Sequence, residues 1–197
     1  MKDTYLVGNY SINCKGNLID LSTPKIMSIV NTTPDSFYDG GKYNTIEKAL
    51  QKVELDISNN TTFIDVGGYS SKPNANHVTE EEELKRTIPT IEAILNSFPK
   101  AVISIDTFRG KLAKEAIDAG AAMINDISAF ELDKEMINTL STYKVPYVLM
   151  HMQGTPQNMQ ENPCYKNVVK DIIQFLNQKI SKIKTFGIHD IVVDPGF

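Results

Sequence analysis

Short apolar runs, each closing on a polar residue and each followed by a stretch of helical periodicity, repeat along this chain. The runs cover residues 25–31, 62–66, 102–106, 123–126, 147–151 and 191–194. They are apolar at successive rather than alternate positions, the pattern of strands buried on both faces. Between them, residues 45–58 place Ile46, Ala49, Leu50, Val53 and Ile57 on one helical face. Residues 79–96 open with Thr79 and Glu82 at capping-box spacing, and the acidic residues Glu80 to Glu83 suit the positive end of a helix. Residues 111–119 end at Gly120, residues 133–142 form a further helix, and residues 167–186 stop at Gly187. Ahead of the first run, residues 10–12 and 18–21 flank Lys15-Gly16-Asn17 and predict a small β-hairpin, placed to plug the bottom of a barrel.

Strands alternating with helices imply an α/β fold with a parallel sheet. An open doubly wound sheet and a TIM (β/α)₈ barrel both satisfy that alternation. The first strand-to-helix turn lacks G-x-G-x-x-G, which weighs against a dinucleotide-binding sheet. A polar or ionisable residue at the end of nearly every strand favours the barrel, whose chemistry sits on the C-terminal rim of its strands. The reading is a barrel domain over residues 25–197, incomplete with about six strands, behind an N-terminal hairpin segment over residues 1–24. A complete barrel needs two more strand–helix units, about 60–70 residues, so the chain is expected to be C-terminally truncated.

Composition changes little. The chain is 41% apolar and 22% charged, as expected of one soluble domain. No apolar run is long enough to span a membrane and the polar N-terminus lacks a signal-peptide core, so the expected location is the cytoplasm, with no membrane partner. Cys14 and Cys164 are too few and too isolated for a disulfide framework or zinc site. A net charge of −4, without a basic and aromatic stripe, argues against a nucleic-acid partner.

The candidate chemistry lies at the strand ends. Asn31-Thr32-Thr33-Pro34-Asp35-Ser36-Phe37, then Asp39-Gly40-Gly41, is either a plain surface connection or a functional rim loop. Asp65-Val66-Gly67-Gly68-Tyr69-Ser70-Ser71-Lys72-Pro73 has paired glycines that let backbone approach a ligand, with Ser71 and Lys72 able to meet an anion; an idle loop is the competing reading. Asp106, Asn125 and Asp194 end three further strands. A strand-end Asp often caps the next helix, and Asp106 is a candidate cap for a helix beginning near Arg109. Three such groups at one barrel mouth would instead read a heterocycle, carboxylates taking a donor–donor edge and Asn the mixed edge. His151 is a general base or, more simply, a hydrogen-bonded structural histidine, and Met150 packs on a flat ring or fills the core.

Taken together and in order, these motifs resemble dihydropteroate synthase, from about Ile26 to the last residue. Asn31 to Gly41 resembles the family's first signature loop and Asp65 to Pro73 its second. Ser104-Ile105-Asp106-Thr107, Asn125-Asp126-Ile127, Leu149-Met150-His151-Met152-Gln153-Gly154 and Asp194-Pro195-Gly196-Phe197 follow. The resemblance implies condensation of 6-hydroxymethyl-7,8-dihydropterin pyrophosphate with 4-aminobenzoate, with Mg²⁺, and a homodimer in full-length form. It implies that Asp106, Asn125, Asp194 and Met150 hold the pterin, that Asn31 meets the Mg²⁺, and that Thr33, Pro34, Ser71, Lys72 and Pro73 belong to the pyrophosphate and aminobenzoate loops.

Two departures stand out. Where the family usually has Ser-Thr-Arg-Pro, this chain has Ser70-Ser71-Lys72-Pro73, and Lys lacks the bidentate fork of Arg. Anion or aminobenzoate binding is expected to be weaker by about 1–2 kcal/mol. The family also continues past Phe197 with further binding groups, which leaves an inactive pterin-binding protein as an alternative. A pterin-binding methyltransferase is a second alternative, although it lacks the first loop.

Overall fold

The structure, a computed structural model, describes residues 10–32, 42–69, 78–159 and 161–196. Two strands, β1 (Ser11–Cys14) and β2 (Asn17–Asp20), form an antiparallel hairpin. Its turn residues Lys15 and Gly16 both have positive φ, 52° and 89°, the backbone that matches the twist of a two-residue hairpin. Six parallel strands follow: β3 (Met27–Asn31), β4 (Phe63–Gly67), β5 (Val102–Asp106), β6 (Met123–Asp126), β7 (Tyr147–Met150) and β8 (Ile191–Asp194). They pair strictly in sequence order, with β3 and β8 at the edges. Among the described residues five helices connect them: α1 (Lys42–Ser58), α2 (Glu80–Ser97), α3 (Gly110–Asp118), α4 (Glu135–Tyr143) and α5 (Val168–Lys184). This is the (β/α)₈-barrel fold, here with six strands of wall. Among the described residues no helix is long and apolar enough to cross a membrane.

Strand periodicity divides the interior in two. Ile64, Val66, Ile103, Ile105, Ile124, Tyr147 and Leu149 face the helices and pack with Val53, Ile91, Ile94, Leu112, Met136 and Leu140. The alternate positions Phe63, Met123 and Val148, with Met27, Val102 and Val192, form a second cluster on the inner face, and Ile12 and Cys14 of the hairpin complete it. The hairpin thus plugs the N-terminal end of the barrel, as its position in the sequence predicts. Asn13 N–H donates to Asp190 Oδ2 at 2.9 Å and Lys15 Nζ to the Ile117 carbonyl at 2.9 Å, which fixes the plug to two distant parts of the wall.

Helix ends follow the local chemistry with small differences. Thr79 accepts from Glu82 N–H at 3.3 Å, but the Glu82 carboxylate turns to Arg86 Nε at 2.8 Å instead of closing a capping box. Asn167 caps α5 through Lys170 N–H, and Gly120 has φ +119° just beyond α3. Helix α4 starts two residues later than the pattern predicts, because the Asp133 carboxylate accepts from Glu135 N–H at 2.9 Å and from Gly110 N–H at 2.7 Å. Asp133 therefore serves the start of α3. Asp106 does not cap that helix, whose N-cap residue Arg109 makes no side-chain cap bond.

Candidate functional site

Register sets the site. Asn31, Gly67, Asp106 and Asn125 are successive partners across β3, β4, β5 and β6, so they lie at one level. Each shares the parity of the inner-face residues Met27, Phe63, Val102 and Met123, and therefore projects to the inside of the wall. Met150 and Asp194 are partners on β7 and β8, with the parity of Val148 and Val192. The sequence-predicted residues Asn31, Asp106, Asn125, Met150 and Asp194 are thus on one face at one end of the sheet. Thr33, Pro34, Ser71, Lys72 and Pro73 lie outside the described residues.

Gly67 permits this crowding. A Cβ there would stand 3.2 Å from Asp106 Oδ2 and 3.4 Å from Asn31 Oδ1, so a side chain at this position would press on the Asp106 carboxylate and touch the Asn31 amide. Thr32 fixes the neighbouring rim, its N–H and hydroxyl both donating to the Gly67 carbonyl at 2.8 and 3.1 Å. Asp194 Oδ1 accepts from Gly196 N–H at 2.8 Å, which folds the end of β8 into a tight turn.

One carboxylate in this cup carries no site role in the sequence reading. Asp65, on β4, is 3% exposed and faces inward below Gly67. Asn125 Nδ2 donates to its Oδ2 at 2.9 Å. Ser104, its register partner on β5, presents a hydroxyl beside it. The only available signal was an acidic residue at an inward position of an otherwise apolar run.

Electrostatics follow from this crowding. Burial pushes the Asp106 carboxyl well above the usual carboxylate range, and the charges of Asp65, Glu83 and Asp126 push it further. Burial also raises Asp65, while Ser104 and Asn125 beside it partly restore the charged form. Because Asp65 engages the Asn125 amide nitrogen, the side-chain oxygen of Asn125 is the atom left to accept from a ligand N–H.

Two other polar groups are structural. Asp126 has the opposite parity, faces the helices, and accepts from Ser128 N–H, the Ser128 hydroxyl, Phe130 N–H and the Tyr147 hydroxyl at 2.7–2.8 Å. It pins a turn in which Ala129 and Phe130 both have positive φ. His151 is 6% exposed and edge-on to Phe175 at 5.0 Å. Burial lowers its proton affinity, partly offset by the Pro195 backbone. This is the structural histidine of the simpler sequence reading.

A cup of carboxylates and two carboxamides at a barrel mouth suits a flat ring rich in N–H donors, and the family comparison agrees. The pterin binding enzyme family matches residues 27–197. The chain belongs to that family. Among pterin binding enzymes, the dihydropteroate synthase of Haemophilus influenzae is 41% identical over 181 residues, 91% of this chain and 65% of that protein. A Yersinia pestis dihydropteroate synthase solved as a sulfonamide drug complex superposes with a TM-score of 0.86 at 39% identity, over 95% of this chain and 68% of that one. A Xanthomonas albilineans dihydropteroate synthase with 4-aminobenzoic acid gives 0.86 at 36% identity, over 96% and 67%. The chain spans about two thirds of the length of the relatives it matches.

Proposed function

We propose that this chain carries the pterin half of a dihydropteroate synthase, which joins 6-hydroxymethyl-7,8-dihydropterin pyrophosphate to 4-aminobenzoate to give 7,8-dihydropteroate and pyrophosphate. The observation that carries the reading is the level placement of Asp106 and Asn125 on adjacent strands, with the Asn125 amide oriented by Asp65. Asp106 and Asp194 take donor edges of the pterin, Asn125 offers its carbonyl, and Met150 lies along the ring. The 4-aminobenzoic acid named with the Xanthomonas albilineans protein supports the second substrate.

In this reaction the bond from the pterin methylene carbon to the pyrophosphate oxygen breaks and a carbon–nitrogen bond to the arylamine forms. The ring spreads the positive charge that develops on the methylene carbon, and buried carboxylates beside it lower the energy of that charge. The arylamine is already neutral at pH 7, so the attack needs no strong base, and its extra proton passes to the released pyrophosphate after the new bond forms. This agrees with a His151 that is buried and structural.

Asn31 supplies a neutral oxygen donor at the rim, beside the Asp106 carboxylate across Gly67. That donor set fits Mg²⁺, which keeps most of its waters and takes few protein ligands. Asn31 would hold the ion, which when bound supplies positive charge against the pyrophosphate. Ser71 and Lys72 are the proposed partners of the pyrophosphate and aminobenzoate.

Titration of the chain with 6-hydroxymethylpterin, followed by pterin fluorescence, tests the reading. Saturable binding that is lost in Asp106→Asn is expected. Equal binding by the chain and by that variant would overturn it.

A further inference from the structure

Helix α2 buries a carboxylate that the pterin cup does not contain. Glu83 has no exposed surface, and its ion-pair partner Arg109 is 8% exposed. Buried ion pairs seldom add net stability, because desolvation offsets their attraction, and an apolar pair of similar size would pack α2 as well. The connections of this pair give it a different purpose.

Glu83 Oε1 accepts from the Thr107 hydroxyl at 3.1 Å and Oε2 accepts from Arg109 Nη1. Thr107 is the residue after Asp106. Its hydroxyl oxygen accepts from Arg109 N–H at 3.1 Å, and its own N–H donates to the Asn125 carbonyl at 3.0 Å. The backbone directly beyond Asp106 is therefore tied to β6 and to α2. On the other side, a Cβ on Gly68 would lie 2.8 Å from Glu83 Cγ and 2.8 Å from Thr87 Cγ2, so α2 stands directly on the end of β4. Arg109 also donates through Nη2 to the Val78 carbonyl at 2.6 Å, and its guanidinium lies 5.5 Å from the Tyr69 ring centroid. Tyr69 is edge-on to Phe108 and its hydroxyl accepts from Gln157 Nε2.

We propose that Glu83 and Arg109 are positioning residues for Asp106: they clamp the ends of β4 and β5 together so that its carboxylate meets the pterin at the level of Asn125. The inference rests on the pterin reading of Asp106. An apolar pair would fill the same space but leave Thr107 without a partner in α2, and the turn after β5 would lose its fixed height. Buried charged groups with several specific partners hold one geometry in a way that apolar packing does not.

The test compares Glu83→Gln, Thr107→Val and Thr107→Ser, using 6-hydroxymethylpterin binding and hydrogen exchange at the amide of residue 107. Thr107→Val replaces the hydroxyl with a methyl group of similar size and is expected to weaken pterin binding about tenfold, the scale of a lost hydrogen bond to a buried charge. Thr107→Ser keeps the hydroxyl and is expected to restore affinity to within about twofold. Glu83→Gln is expected to speed exchange at residue 107, whose N–H bonds to Asn125 and not to Glu83. Should Glu83→Gln fail to fold, Thr107→Val carries both measurements. Wild-type affinity and wild-type exchange in a folded Thr107→Val protein would overturn the proposal, as would equal losses in the Val and Ser variants. If the unsubstituted chain binds no pterin, the proposed function falls, and exchange at residue 107 alone decides the clamp.

Discussion

At the N-terminal ends of the strands the inner face carries Phe63, Val102, Met123, Val148 and Val192, sealed by Ile12 and Cys14 of the hairpin. A few residues further along the same strands, the same face carries Asp65, Asp106, Asn125 and Asp194. Both ends are built by the same backbone ladder and the same alternation. One end gains stability from buried apolar surface. The other gives some of it up by crowding carboxylates into a space that burial makes unfavourable for charge. The apolar end makes the polar one possible, since the wall must be held elsewhere before its rim can hold uncompensated groups.

That division can be broken from either end. The largest effect is expected for Phe63→Ala, which opens a cavity beneath the hairpin and should cost about 3–4 kcal/mol of stability in a denaturant titration. The pterin affinity of its folded fraction should change little.

The converse is expected of Asp106→Asn, which should weaken pterin binding by about 2–3 kcal/mol, the loss of a charged acceptor, and leave the melting temperature unchanged or higher. The pH dependence carries the same asymmetry. The folded state holds protons on Asp106 and Asp65 more tightly than the unfolded chain does. As pH rises from the ordinary carboxylate range through their raised folded values, the unfolded chain has already released those protons, so stability falls across that window. Pterin binding to the ionised carboxylate should strengthen over the same window. Thermal melts and pterin titrations against pH check both slopes, and Asp106→Asn should flatten each.

A smaller effect is expected of Lys72→Arg, which restores a bidentate fork and should improve the KM for 4-aminobenzoate by about 1–2 kcal/mol in a form that turns over. An unchanged or raised KM would refute it. The smallest difference lies between the two thiols. Cys14 is buried, and its thiol is pushed up to about 11 by burial and by the Asp190 charge, whereas Cys164 is exposed. A thiol reagent at neutral pH should label Cys164 and spare Cys14 in the native protein; equal labelling would show that the hairpin does not seal the barrel.

Much of this arrangement was legible in the chain. The bounds of β5, β6 and β8 coincide with apolar runs that stop at Asp106, Asp126 and Asp194, because a buried strand has a sharp compositional edge. Strand ends alone suggest one shared end of the sheet for Asp106, Asn125 and Asp194, and the register of the strands puts them on one face. The role of Asp65 did not, because it depends on register with Ser104 and on an amide from Asn125, 60 residues away. Glu83 reads in sequence as one more acid in the first turn of α2, yet the turn of the helix carries it inward to Arg109 and Thr107. Local pattern gives the direction of a strand or helix, while the partner of a buried charge is fixed only by the neighbouring strand and its loop.

The hairpin's two anchors reach Ile117 and Asp190, 102 and 177 residues along the chain. The stopper's seat is therefore completed only by parts of the chain far downstream of it. Until the sixth strand is in place, Ile12 and Cys14 have only part of a socket, and closing loops of that size is entropically slow.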